Sequence, residues 1–91
     1  MDANTHELIF KEEVFRIVGA ALNVCNNMGC GFLEAVYQEA LEIEFNDEQI
    51  PFESQKPIEL KYKSRILDKK YIADFLCFNS VIVEIKAKKN N

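Results

Sequence analysis

The hydrophobic period of this 91-residue chain changes once, at Pro51, and that switch leaves it few ways to fold. Before Pro51 apolar residues recur at i, i+3, i+4 and i+7, as on one face of a helix. After it they alternate with polar ones, as along a strand. Val14, Ile17, Val18, Ala21, Leu22 and Cys25 form the first stripe, with Glu12, Glu13 and Arg16 off it, which predicts a helix over residues 11–27. Asn26-Asn27-Met28-Gly29-Cys30-Gly31 ends it, since paired asparagines and two glycines accept left-handed backbone. A second helix is predicted over 33–46, with Leu33, Val36, Tyr37, Ala40 and Leu41 facing the core and Glu39, Glu42 and Glu44 facing water.

Three strands are predicted beyond the switch: Ile58-Glu59-Leu60-Lys61-Tyr62, Tyr71 to Phe78, and Val81 to Ala87, with a short ledge at Ile66 between polar connectors. The connections are too short for crossovers, so the sheet should be antiparallel. The expected fold class is α+β: two N-terminal helices packed on a three-stranded antiparallel sheet. A chain of 91 residues is expected to be one small domain, with residues 1–9 a mobile tail.

Composition removes several alternatives. No apolar stretch reaches the ~20 residues of a membrane span, so no membrane partner is expected. Met1 to Glu7 lacks the basic-then-apolar layout of a secretory signal, which points to the cytoplasm. Cys25, Cys30 and Cys77 form no Cys-x-x-Cys and are expected to be reduced, mostly buried thiols. His6 is the only histidine, and it stands in the tail, away from any cysteine nucleophile. The net charge of −4 divides unevenly: residues 1–53 carry 11 acidic and 2 basic side chains, residues 54–91 carry 4 and 9. A basic strand half is compatible with binding phosphates. An acidic helical half leaves open a module that binds a partner through its helices.

Against this background three charges are out of place. The run Val81-Ile82-Val83-Glu84-Ile85-Lys86-Ala87 is apolar at most positions, which predicts a central strand buried on both faces, yet it carries Glu84 and Lys86. The strand before it carries Asp74 among Tyr71-Ile72-Ala73 and Phe75-Leu76-Cys77-Phe78. Buried unpaired charge costs several kcal/mol and is kept where it finds a partner or a metal. Glu84 and Lys86 share a face because they are two apart. Asp74 joins them only in one register. A two-residue loop at Asn79-Ser80 sets Asp74 opposite Ile85, on the wrong face; a three-residue loop, Phe78-Asn79-Ser80, sets it opposite Glu84. We therefore predict the three-residue loop, or a bulge that restores its register.

Two facing carboxylates repel unless one is protonated or a cation bridges them. A hard divalent ion suits them: Mg²⁺ takes one or two carboxylates, keeps several waters and binds phosphates. A lysine two residues on can orient or deprotonate a metal-bound water, or stabilise transition-state charge on a phosphodiester. A structural salt bridge on a face open to solvent is the alternative. Glu59-Leu60-Lys61 repeats the Glu-x-Lys spacing in an alternating strand, where both charges should point to water.

With Asp74 on one strand and Glu84-Ile85-Lys86 on the next, the chain resembles the core of the PD-(D/E)xK nuclease superfamily, a restriction-endonuclease-like fold. Upstream, Gly31-Phe32-Leu33-Glu34-Ala35-Val36-Tyr37 resembles Gly-x-x-Glu-x-x-Tyr, the signature of the small GxxExxY proteins of that superfamily. The resemblance takes in Phe52-Glu53-Ser54-Gln55 and spans residues 10–88. It implies a Mg²⁺- or Mn²⁺-dependent nuclease acting on DNA. Asp74 and Glu84 would be metal ligands, helped by the Ile85 carbonyl, with Lys86 as catalytic lysine and Glu34 as an acidic ligand from the helix. Glu34 also fits a solvated helix N-terminal carboxylate. Gln55 and Tyr37 are supporting candidates, Tyr37 from the core stripe.

Two differences from the family stand out. Ala73 occupies the place of the proline in the superfamily's name. Family members also continue with a further helix and strand after the Glu-x-Lys strand, so this chain is expected to be a reduced core whose sheet a homodimer could complete. A non-catalytic domain of nuclease ancestry, binding nucleic acid or protein, is the alternative function.

Overall fold

The computed structural model describes residues 10–87; the expected mobile tail, with His6, and residues 88–91 lie outside the described residues. Two helices, α1 (Lys11–Met28) and α2 (Glu34–Asp47), precede five strands: β1 (Phe52–Ile58), β2 (Lys61–Tyr62), β3 (Arg65–Ile66), β4 (Tyr71–Cys77) and β5 (Val81–Val83). Strands β1, β4 and β5 form an antiparallel three-stranded sheet in that order, and β2 pairs only with β3. The α+β architecture is the one expected.

The core lies between the helices and one face of the sheet. Ile17, Ala20 and Val24 of α1 and Leu41 and Phe45 of α2 are buried against Phe75 and Cys77 of β4. Phe45, Phe52 and Phe75 meet with ring centroids 5.0 to 5.6 Å apart, two of the three pairs edge-to-face, the arrangement the ring quadrupole favours. Arg16 ties the layers together at the end of α2. It donates to the carbonyls of Glu48 and Gln49, just past the end of α2, and its guanidinium stands 5.3 Å from the Phe78 ring.

Five expectations need correction. The first sheet strand is Phe52–Ile58, not 58–62; Glu59 to Tyr62 leaves the sheet and begins an exposed hairpin. The strand carrying Glu84 is at the edge, with Ile82 exposed, and its ladder stops at Val83 instead of reaching Ala87. Helix α1 is rotated from its predicted stripe: Ala20 and Val24 are inside, while Val14, Val18 and Leu22 face solvent. Val14 to Cys25 includes nine apolar residues, so the helical rule fits more than one face, and the face that goes inward is the one with Ala20. Likewise α2 buries Phe45 and leaves Leu33 and Val36 exposed. Of the cysteines only Cys77 is buried; Cys25 and Cys30 are exposed. Burial holds the Cys77 thiol up at about 11, leaving it an inert core group.

Candidate active site

The β4–β5 hairpin decides whether the charged residues meet. Its loop is Phe78-Asn79-Ser80, and Phe78 and Asn79 both take left-handed backbone, with φ of 54° and 57°. Phe78 is held there by its N–H on the Pro51 carbonyl (2.9 Å) and by Arg16 against its ring. The resulting pairs are Cys77 with Val81, Leu76 with Ile82 and Phe75 with Val83. One step further, Asp74 faces Glu84, the register required for a shared face.

At that step the ladder gives way to side chains. The Ile85 N–H donates to Asp74 Oδ2 at 2.7 Å, and the Asp74 N–H donates to Glu84 Oε2 at 2.9 Å. Each carboxylate thus takes an N–H from across the hairpin, which offsets part of the repulsion between two facing anions. The Tyr71 hydroxyl donates to Glu84 Oε1. On the other side of β4, Gln55 stands across from Asp74 but has left-handed backbone (φ 50°), and no ladder pair forms there, although Ser54 with Phe75 and Lys56 with Ala73 keep register around it. Asp74 is therefore the level at which the sheet opens on both flanks. Irregular strand positions of this kind recur beside active sites.

Helix α2 supports the opening from the core side. Gln38 Nε2 donates to the freed Asp74 carbonyl at 3.3 Å and reaches Glu42 Oε2 at 3.4 Å, and Ser54 donates to the same Glu42 oxygen at 2.8 Å. Glu42, predicted to face water, is half-buried in this network.

Electrostatics follow the hydrogen bonds. The Asp74 N–H, then the Tyr71 hydroxyl, hold the Glu84 carboxyl below its usual range; partial desolvation opposes them, and the Lys86 charge adds a smaller downward push. Tyr71 moves the other way, its phenol held above 10 chiefly by donation to Glu84. All of this takes place in the open. Glu84 and Lys86 are exposed and Asp74 is half-buried, so these charges do not bear the burial cost expected of a central strand.

The remaining candidates lie around the pair. Exposure alternates through residues 84–87, so Lys86 falls on the Glu84 face. Glu34 opens α2, and its Oε2 accepts the Ala87 N–H at 3.2 Å, so it contacts the segment beyond Lys86. It does not join the pair: among the described residues no three His, Cys, Asp or Glu side chains come together as a metal cluster. Tyr37 donates to the Gly29 carbonyl at 2.8 Å and accepts the Phe32 N–H at 3.3 Å, pinning the loop before Glu34. That loop, with Tyr37 and residues 83–87, lines a cleft of about 610 Å³. The cleft is mainly apolar, with Ala21, Val24 and Leu41 in its wall, and it shares Glu84 and Lys86 with the site. Sequence reasoning missed Tyr71 and Gln38. Tyr71 reads as an ordinary strand aromatic, and Gln38 acts on a residue 36 positions away.

The donor set fits a hard divalent cation. Two facing carboxylates on an open face supply only oxygen, the number and type that Mg²⁺ takes from protein while keeping its waters. No zinc-type nitrogen or sulfur ligand stands among them.

A family model of the PD-(D/E)XK nuclease superfamily matches residues 11–90, nearly the whole chain. The chain belongs to that superfamily. No curated protein and no solved structure matches the chain. Membership suggests a nuclease-like function, and PD-(D/E)XK nucleases typically use divalent metal ions. No helix among the described residues is long and apolar enough to cross a membrane.

Proposed function

We propose that this chain is a Mg²⁺- or Mn²⁺-dependent nuclease that hydrolyses phosphodiester bonds in DNA, of the GxxExxY kind within its superfamily. The observation that carries the proposal is the register: a three-residue loop that puts Asp74 opposite Glu84, with Lys86 on the same face.

Asp74 and Glu84 would hold the ion, with the Ile85 carbonyl as a further oxygen donor. A bound divalent ion supplies Lewis-acid polarisation of the phosphoryl oxygen and a more acidic water. The chain's own residues do the rest. Tyr71 and the Asp74 N–H keep Glu84 ionised and oriented. Ile85 N–H fixes the Asp74 carboxylate, and Gln38 fixes its backbone. Lys86 would orient or deprotonate the attacking water, or offset charge developing on the phosphate. Glu34, at the Ala87 N–H, would fix the segment that carries Lys86, and Gln55, across from Asp74, would border the site.

Cleavage of supercoiled plasmid by the purified chain tests this. Nicking is expected with Mg²⁺ or Mn²⁺, its loss with chelator, and a fall of at least about 10²-fold in Lys86→Ala with the fold retained. Cleavage that persists in chelator or is unchanged in Lys86→Ala would refute it. Absence of both cleavage and metal binding would favour a non-catalytic binding domain of nuclease ancestry.

A further inference from the structure

Between β1 and β4 the chain leaves the sheet for twelve residues, 59–70, every one of them exposed. Its two strands pair with each other and not with the three-stranded sheet. Lys61 pairs with Ile66 and Tyr62 with Arg65, and the Leu67 N–H donates to the Leu60 carbonyl at 2.9 Å. An isolated two-stranded hairpin is marginal in water, so one that buries no face calls for another reason to be kept. Its tip sharpens the point. Lys63 and Ser64 both have positive φ, 48° and 70°, the turn geometry that Asn-Gly supplies at least cost. A lysine is held there instead.

Charge supplies that reason. Residues 59–70 contain five cations (Lys61, Lys63, Arg65, Lys69, Lys70) and two anions (Glu59, Asp68), a balance of +3 in a chain whose net charge is −4. The rest of the molecule is thus strongly acidic, and the hairpin is where its positive charge is concentrated. Tyr62, 61% exposed, stands among these cations, with Lys63 Nζ 5.5 Å from its ring centroid. Position completes the case. The hairpin springs from the paired residues Ile58 and Tyr71, and the Tyr71 hydroxyl touches Glu84. A two-stranded ribbon also has the dimensions of the DNA major groove, roughly 12 Å wide.

We propose that the β2–β3 hairpin is the surface by which this chain grips the phosphate backbone of duplex DNA and holds it beside the carboxylate pair. The proposal rests on the nuclease reading of that pair for its orientation, but its test is kept separate. Binding of a short fluorescent duplex to the full-length chain is followed by anisotropy across a salt series, in chelator, so that no cleavage intrudes.

The triple variant Lys61→Ala, Lys63→Ala, Arg65→Ala should bind at least about tenfold more weakly and lower the slope of log K against log salt by roughly 2 to 3, the counterions released by three phosphate contacts. Lys11→Ala, on the exposed start of α1, should leave both near wild type. Lys63→Glu, at the exposed tip, carries the same test if the triple variant fails to fold. Wild-type-like binding by the hairpin variants, or no DNA binding by the wild-type chain, overturns the proposal. Hairpin-dependent binding without metal-dependent cleavage would sink the nuclease reading alone; cleavage with hairpin-independent binding would sink this one alone.

Discussion

Glu59-Leu60-Lys61 and Glu84-Ile85-Lys86 have the same spacing and both expose their charges, yet only the second lies across from Asp74. The first follows the end of β1, where the chain departs into a hairpin that is exposed along its whole length. The second follows the end of β5, where the three-residue loop has brought Asp74 across from it and two backbone N–H groups bind the carboxylates. The motif is therefore not the unit of function. What distinguishes the copies is the opposing strand, and β4 owes its register to Phe78 and Asn79 in left-handed backbone, a loop away from either charge.

The largest expected effect separates the two glutamates. Glu84→Gln should cut metal-dependent DNA cleavage by about 10²- to 10³-fold, while Glu59→Gln stays within about twofold, both read as initial rates on plasmid. Equal losses would erase the distinction. The two lysines should then divide by parameter. Lys86→Ala lowers kcat, whereas Lys61→Ala raises the DNA concentration needed for half-maximal rate and spares kcat. A smaller effect is expected behind the site. Gln38→Ala removes the donor to the Asp74 carbonyl and should weaken metal affinity by several-fold to tenfold, a change of about 1 kcal/mol, with helix content unchanged.

The smallest effect is in pH. Glu84 titrates lower in the folded chain than in the unfolded one, so its ionised form adds stability above the unfolded value near 4.3. That contribution disappears as pH falls through the lower folded value. Melting temperature measured downward from pH 7 should therefore fall more steeply for wild type than for Glu84→Gln. Tyr71 has the opposite sign: its raised phenol adds stability below about 10 that is lost as pH rises through the folded value. Tyr71→Phe should flatten the alkaline limb.

Much of this molecule was legible from local pattern. The helix spans, the glycine turn at Gly29 and Gly31, the antiparallel sheet and the need for an even register all follow from periodicity and loop length. Strand β1 was not legible at its true place. Pro57 discourages a strand assignment, although an edge strand can accommodate it, and the alternation runs on past Ile58 into residues that the sheet does not use. The face of α1 was hidden by its many apolar residues, because which stripe goes inward depends on what α2 and β4 present. Tyr71 and Gln38 lay beyond sequence reasoning for a different reason. Their roles consist of single hydrogen bonds to Glu84 and Asp74, and no periodicity encodes those. The carboxylates were legible as residues but not in state: in isolation they repel, and only the crossed N–H donors show how the fold holds them.

Calorimetric titration of the full chain with Mn²⁺ and Mg²⁺ addresses the contrast between the two motifs most directly. Saturable binding is expected in wild type and Glu59→Gln, and it should be absent in Asp74→Asn and in Glu84→Gln. Binding that survives both of those substitutions, or no binding by the wild-type chain, would contradict the assignment of Asp74 and Glu84 as a metal-holding pair.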